Sequence, residues 1–229
     1  MEESSMGFSI DTWLAAYLAK LEERFGGRLW FVGLQGSFAR GEATESSDID
    51  VVAILNRLSP EDVQAYSQLL DTLPERQRVC GFLSGRQELE SWDRSDLFQF
   101  CWDTTPIQGS LETIKARITR EDVRRAIHTG VCNLYHMCVH NMAHEKSGEI
   151  LRGLYKSARF TLRAIAYWQT GAYFRRQEEL MEHLQIGEQR ILENALALGD
   201  METLSPQVLE AFSREMLTWC SGWITEAGV

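Results

Sequence analysis

VGLQGSFARGEATESSDIDVVAIL, residues 32–55, is the stretch whose reading decides the fold. Leu29–Leu34 (LWFVGL) is a short apolar run of the kind that forms a strand buried on both faces, and Ile49–Leu55 (IDVVAIL) is a second, β-branched one. Between them, Gly36-Ser37 opens a polar gap that closes on Asp48 and Asp50, which flank Ile49. Alternation along a strand puts both carboxylates on one face and turns Ile49 to the other. Two carboxylates about 6–7 Å apart along a strand repel each other unless a cation lies between them. Hard oxygen donors suit Mg²⁺, which normally completes its shell with water and nucleotide phosphates. Gly36 permits close backbone approach, and the Ser37 hydroxyl with neighbouring N–H groups suits phosphate oxygens. Arg40 adds positive charge beside them.

Working outward, Ile10, Trp13, Leu14, Tyr17, Leu18, Leu21 and Phe25 recur at helical spacing. Ser9 or Asp11 caps that helix and Gly26-Gly27 stops it. Ser59-Pro60-Glu61-Asp62 starts another helix, which runs to about Leu73. Arg78–Ser84 (RVCGFLS) predicts a third strand, and Asp96–Trp102 (DLFQFCW) is a weaker candidate for a fourth. Strand signals cease near residue 110. Helices are expected over 111–117, 119–145, 148–169, 174–198 and 205–225. The expected fold is therefore α+β, with a small mixed-sheet domain over 1–109 followed by an all-α helical bundle domain over 110–229.

Gly36-Ser37, then Arg40-Gly41, then Asp48-x-Asp50 after a short polar gap, resembles the nucleotidyltransferase superfamily that includes DNA polymerase β. The two-domain layout resembles the branch of aminoglycoside and lincosamide nucleotidyltransferases, and Asp103–Gly109 resembles its linker into the helical domain. The resemblance implies an enzyme that binds a nucleoside triphosphate, ATP foremost, with Mg²⁺ between its two domains. It would transfer a nucleoside monophosphate to a hydroxyl of a small molecule such as an aminoglycoside-like antibiotic. On that resemblance Asp48 and Asp50 are the catalytic metal ligands, and Gly36 and Ser37 hold the triphosphate. Arg40 assists them.

The family usually has a third carboxylate on the next strand, and Arg78–Ser84 contains no acid. Glu75 precedes that strand and Glu88 follows it; Glu88, Glu90 and Asp103 are candidates for the role from neighbouring loops, with Glu88 and Asp103 the first to test. The gap motivates a second reading, a non-catalytic nucleotide-binding or antitoxin-like regulator.

Lys156, Arg159 and Arg163 share a face of one predicted helix, and the resemblance favours Lys156 as the nucleotide-binding member. His128, Cys132, His136, His140 and His144 recur every four residues. A stripe at that interval drifts around a 3.6-residue helix, so its ends cannot share one ion, and structural or cleft-lining histidines are expected instead of a metal site. Trp92 and Trp102 could stack on a base or a sugar ring.

Composition sets the outer bounds. Of the 229 residues, 44% are hydrophobic and 24% charged, ordinary globular usage that allows a core. The formal net charge of −10 disfavours a nucleic-acid partner and suits a cationic acceptor. No apolar run approaches the length of a membrane helix. Five scattered cysteines without CxxC spacing look like reduced thiols, so a cytoplasmic protein is expected. The expected partners are an NTP and a small hydroxyl acceptor, with a homodimer left open.

Overall fold

In a computed structural model that describes residues 8–225, the chain is an α+β protein that resolves into two compact units. The first takes the described residues up to Asp93 together with Phe100–Lys115. The second takes Arg94–Gln99 and the described residues from Ala116 onward.

The first unit is built on a four-stranded mixed sheet. Its elements are α1 (Ile10–Phe25), β1 (Leu29–Leu34), α2 (Gly36–Arg40), β2 (Ile49–Leu55), α3 (Pro60–Leu70), β3 (Val79–Gly85), α4 (Arg86–Glu90), part of α5 (Arg94–Asp103), β4 (Thr105–Gln108) and α6 (Glu112–Lys115). The strand order is β3-β2-β1-β4. β1 runs antiparallel to both β2 and β4, and β2 runs parallel to β3.

Ser9 caps α1, accepting from the Thr12 amide. Ser59 and Asp62 form a reciprocal capping box that starts α3 behind Pro60. One sheet face packs Ile49, Val51, Ala53, Leu55, Val32 and Leu34 against Trp13, Tyr17 and Leu21 of α1 and Ala65 and Leu69 of α3. The other face buries Phe31, Val52 and Ile54 completely. There the Phe82 ring lies 5.0 Å from Phe100 and 5.1 Å from Trp92.

The fourth strand is not Asp96–Trp102, which is the helix α5. DLFQFCW carries no β-branched residue, and its buried positions Leu97, Phe98, Phe100 and Cys101 follow helical spacing. The strand is Thr105–Gln108, inside the segment expected to be linker. Pro106 hides it in the sequence. Proline is tolerated there because β4 is an edge strand, where a missing N–H costs no inner ladder bond.

In the second unit, α7 (Arg120–His140) passes into a π-helical turn, Asn141–Glu145. It is followed by α8 (Gly148–Thr170), α9 (Gln177–Glu182), α10 (Ile186–Asp200) and α11 (Pro206–Thr225). The single helix expected over 174–198 is thus two, divided at His183–Gln185. Leu134, Tyr155, Leu162, Leu180, Leu192 and Met216 lie in one core of this unit. Within it the Tyr155 hydroxyl donates to the Phe212 carbonyl (2.8 Å) and accepts from Asn194 Nδ2 (3.2 Å). The buried Glu188 carboxylate accepts from the Trp219 and Trp223 indoles at 3.2 and 2.8 Å.

Gly81 in β3 has φ +143°, and a Cβ there would overlap the backbone of Val51, its partner on β2. Strain and overpacking together should make Gly81→Ala less stable by about 2–4 kcal/mol. Urea unfolding measures this directly, and a loss below about 1 kcal/mol contradicts the packing at this position.

Candidate active site

The ladder registers gather the candidate residues at one end of the sheet. Leu34 pairs with Val51, Ile49 with Val79 and Leu34 again with Thr105. The C-terminal end of β1 and the N-terminal ends of β2, β3 and β4 therefore meet at one edge. Gly36, Ser37, Arg40, Asp48, Asp50, Cys80 and Asp103 all belong to it.

Asp50 is the second residue of β2 and is half-buried. Ile49 before it is fully buried against the α1–α3 side, so Ile49 and Asp50 alternate as expected. Asp48 lies one residue outside the strand and is exposed. The Gln35 amide donates to the Asp50 carbonyl at 2.7 Å, fastening the turn that follows β1 to the start of β2. Gly36 has φ +68°, and the volume its Cβ would fill is taken by the Asp50 carboxylate, whose Cγ is 2.8 Å from that point. A side chain at position 36 and a carboxylate at position 50 exclude each other. Ser37 follows on the first turn of α2, which ends at Gly41.

Arg40 is held by two acids of the same unit. Its Nε donates to Glu42 Oε2 at 3.0 Å, and its Nη1, buried and without a hydrogen bond, lies 3.5 Å from Asp103 Oδ2. Gln35 Nε2 donates to Thr104 Oγ1 at 2.7 Å, tying the same turn to the start of β4. Neither contact has a local sequence signal, since more than sixty residues separate the partners.

The three candidate third acids, and Glu75 ahead of β3, divide by register. Glu88 lies against Gly85, which pairs with Leu55, five residues along the ladder from Asp50–Cys80. That is about 16 Å at ~3.3 Å per residue. Glu90 pairs with Arg86 at that far end. Glu88 is thus the wrong residue to test first. Glu75 and Asp103 lie at the near end. Glu75 pairs with Arg78 at 3.2 Å, and Asp103 is buried beside Arg40. Cys80 is the β3 residue in register with Asp50, and its thiol is exposed.

The second unit carries Lys156, exposed on α8. Its two expected companions are occupied: Arg159 donates to the Ala195 carbonyl, and the buried Arg163 donates to the Arg175 carbonyl. In the histidine stripe, His128 meets Cys132 at 3.8 Å, and the His140 and His144 rings lie 5.0 Å apart with Glu145 3.5 Å from His140. Among the described residues no three His, Cys, Asp or Glu side chains are grouped to hold a metal ion. No helix is long and apolar enough to cross a membrane among them.

With that geometry in place, residues 16–110 match the nucleotidyltransferase domain family model. Among solved structures, the chain is similar to spectinomycin adenyltransferase AAD(9) from Enterococcus faecialis, solved with ATP and spectinomycin. That likeness has a TM-score of 0.58 at 15% identity and covers 93% of this chain and 100% of the other, which shows a shared fold. No curated protein sequence matches the chain.

The site also makes Cys80 chemically distinct. Burial pushes the Cys101 and Cys220 thiols up to about 12 and Cys138 to about 11, leaving them protonated and inaccessible. Iodoacetamide at mildly alkaline pH should therefore label Cys80 first and those three only after denaturation. Mass mapping that finds Cys101 or Cys220 labelled as fast as Cys80 overturns this ordering.

Proposed function

We propose that this protein transfers a nucleoside monophosphate, from ATP in the first instance, to a hydroxyl of a small aminoglycoside-like molecule with Mg²⁺. The observation that carries the reading is the mutual fit of Gly36 and Asp50, which packs a carboxylate directly against the first turn after β1. The donor set suits Mg²⁺: two hard carboxylates, Asp48 and Asp50, with no third protein ligand grouped beside them among the described residues. Such a pair leaves the remaining coordination to triphosphate and water, which Mg²⁺ prefers. Bound there, the metal would neutralise charge developing on the phosphates.

The chain's own residues do the rest. Asp48 and Asp50 anchor the metal end of the nucleotide. Gly36 lets the phosphates approach the backbone, and the Ser37 hydroxyl donates to them. Arg40 supplies positive charge and a buried Nη1 donor that makes no hydrogen bond. Lys156, from the helical domain assigned to 110–229, contacts the triphosphate.

An open cavity of about 310 Å³ in the helical unit supports a small polyol acceptor. Phe98, Phe160 and Tyr173 give it aromatic surface, and Gln99, Asn133 and Ser157 give it hydrogen-bonding groups. The net charge of −10 favours a cationic one. The AAD(9) structure, with its ATP and spectinomycin, supports both choices. Five free cysteines fit the cytoplasm. The second reading, a non-catalytic nucleotide-binding regulator, is favoured by β3 itself, which places a thiol where a third carboxylate was sought.

Asp50→Asn keeps the shape of the side chain and removes its charge. Titration calorimetry should show Mg²⁺-dependent ATP affinity falling about 100-fold or more, since even outer-shell partners of a metal cost 10–100-fold. Unchanged affinity in a folded variant sinks the metal assignment. Lys156→Ala should weaken ATP binding about 10- to 150-fold and leave adenosine binding alone. Equal losses for both would assign the side chain to packing. Pyrophosphate release across a panel of aminoglycosides, with Asp48→Asn as the blank, separates enzyme from regulator.

A further inference from the structure

Asp48 needs a support that the sheet does not provide. β2 begins at Ile49, so Asp48 sits at the end of a loop whose own hydrogen bonds are short-range. The Thr44 amide donates to Ser47 Oγ at 2.8 Å and the Ser47 amide to the Thr44 carbonyl at 3.1 Å. These bonds shape the turn without fastening it to the fold.

One step outward along the ladder from Ile49–Val79 lie Asp48 and Arg78. Arg78 Nε donates to the Ser47 carbonyl at 3.0 Å, immediately before Asp48. Its Nη1 pairs with Glu75 Oε2 at 3.2 Å. Its guanidinium also lies over two aromatic rings, 4.8 Å from the centre of Phe8 and 5.9 Å from that of Phe38. Those rings meet edge-on at 5.7 Å, and Phe38 follows Ser37 on α2. One planar cation thus touches the Asp48 loop, the helix that carries Ser37, and the chain segment ahead of α1.

We propose that Arg78 is a positioning residue, which fixes Asp48 relative to α2 so that the metal pair and the phosphate-binding turn keep one geometry. The shape of the side chain matters as well as its charge. A guanidinium donates in its plane and stacks across its face at once, and an ammonium offers no such plane. The consequence for nucleotide binding rests on Asp48 being a metal ligand; the mechanical tie does not.

Amide hydrogen exchange and calorimetry on the full chain separate the two. In Arg78→Ala and Arg78→Lys, the Thr44 and Ser47 amides should exchange about 10-fold faster, while Val52 and Ile54 in β2 keep wild-type protection. Unchanged exchange at Thr44 and Ser47, or a lysine variant that matches wild type, overturns the proposal. So does a general loss of protection, which would make Arg78 a stability residue. In calorimetry with Mg²⁺ and ATP, Arg78→Ala should weaken binding about 10-fold in the wild-type background and less than about 2-fold in Asp48→Asn. Losses that add in the double variant count against a route through Asp48. If Asp48→Asn alone leaves Mg²⁺-dependent binding intact, the functional reading fails, and the exchange data still decide the role of Arg78.

Discussion

The site depends on one exclusion: the volume of a side chain at position 36 is the volume of the Asp50 carboxylate. It holds only if the end of β1 and the start of β2 are close neighbours. The antiparallel pairing of Leu34 with Val51 and the Gln35–Asp50 backbone bond make them so. The backbone at Gly36, at φ +68°, turns the chain into α2 at that point, where a β-branched or bulky residue would be strained. The turn after β1 and the Asp50 carboxylate are thereby built as one object.

That pairing places β1 and β2 at the centre of the sheet, where apolar residues cover both faces. The polar end is confined to the edge where the strands stop. Rigid strands behind such an edge suit a site that must hold charges at fixed spacing. Register then sorts the acids. Asp48, Asp50, Glu75 and Asp103 fall at this end, whereas Glu88 and Glu90 fall at the other, although spacing along the chain does not separate Asp103 from Glu88 and Glu90.

Strand and helix runs were legible where one physical rule acted alone. LWFVGL and IDVVAIL are apolar on both faces because their sheet is covered on both sides. The Ser59–Asp62 capping box and the alternation of Ile49 and Asp50 were equally plain. The misreadings arose where tertiary context overruled a local signal. Thr105–Gln108 forms an edge strand despite its proline, because an edge tolerates a missing donor. Asp96–Trp102 is helical because its apolar residues lack the branching that favours a strand. The ties among candidate site residues, Arg40 to Asp103 and Gln35 to Thr104, join segments more than sixty residues apart. Pattern within a window of a dozen residues does not contain that information.

The absence of a third acid on β3 has a steric component as well as a chemical one. At position 80 the strand offers a thiol beside Asp50, and at position 81 it offers no room, since any side chain would meet the Val51 backbone. On the proposed function, a carboxylate for the acceptor hydroxyl would therefore come from outside the strand. The two acids at the right end, Glu75 and Asp103, each arrive with an arginine beside them. Asp48 stands apart, exposed and with no arginine or lysine bonded to it among the described residues. Arg40 and Arg78 thus stand beside Asp103 and Glu75, and on the proposed function Asp48 is left for a cation supplied with the ligand. On that reading Arg78 and Arg40 are as much a part of the site as the carboxylates, because they decide which acids keep their charge unmatched.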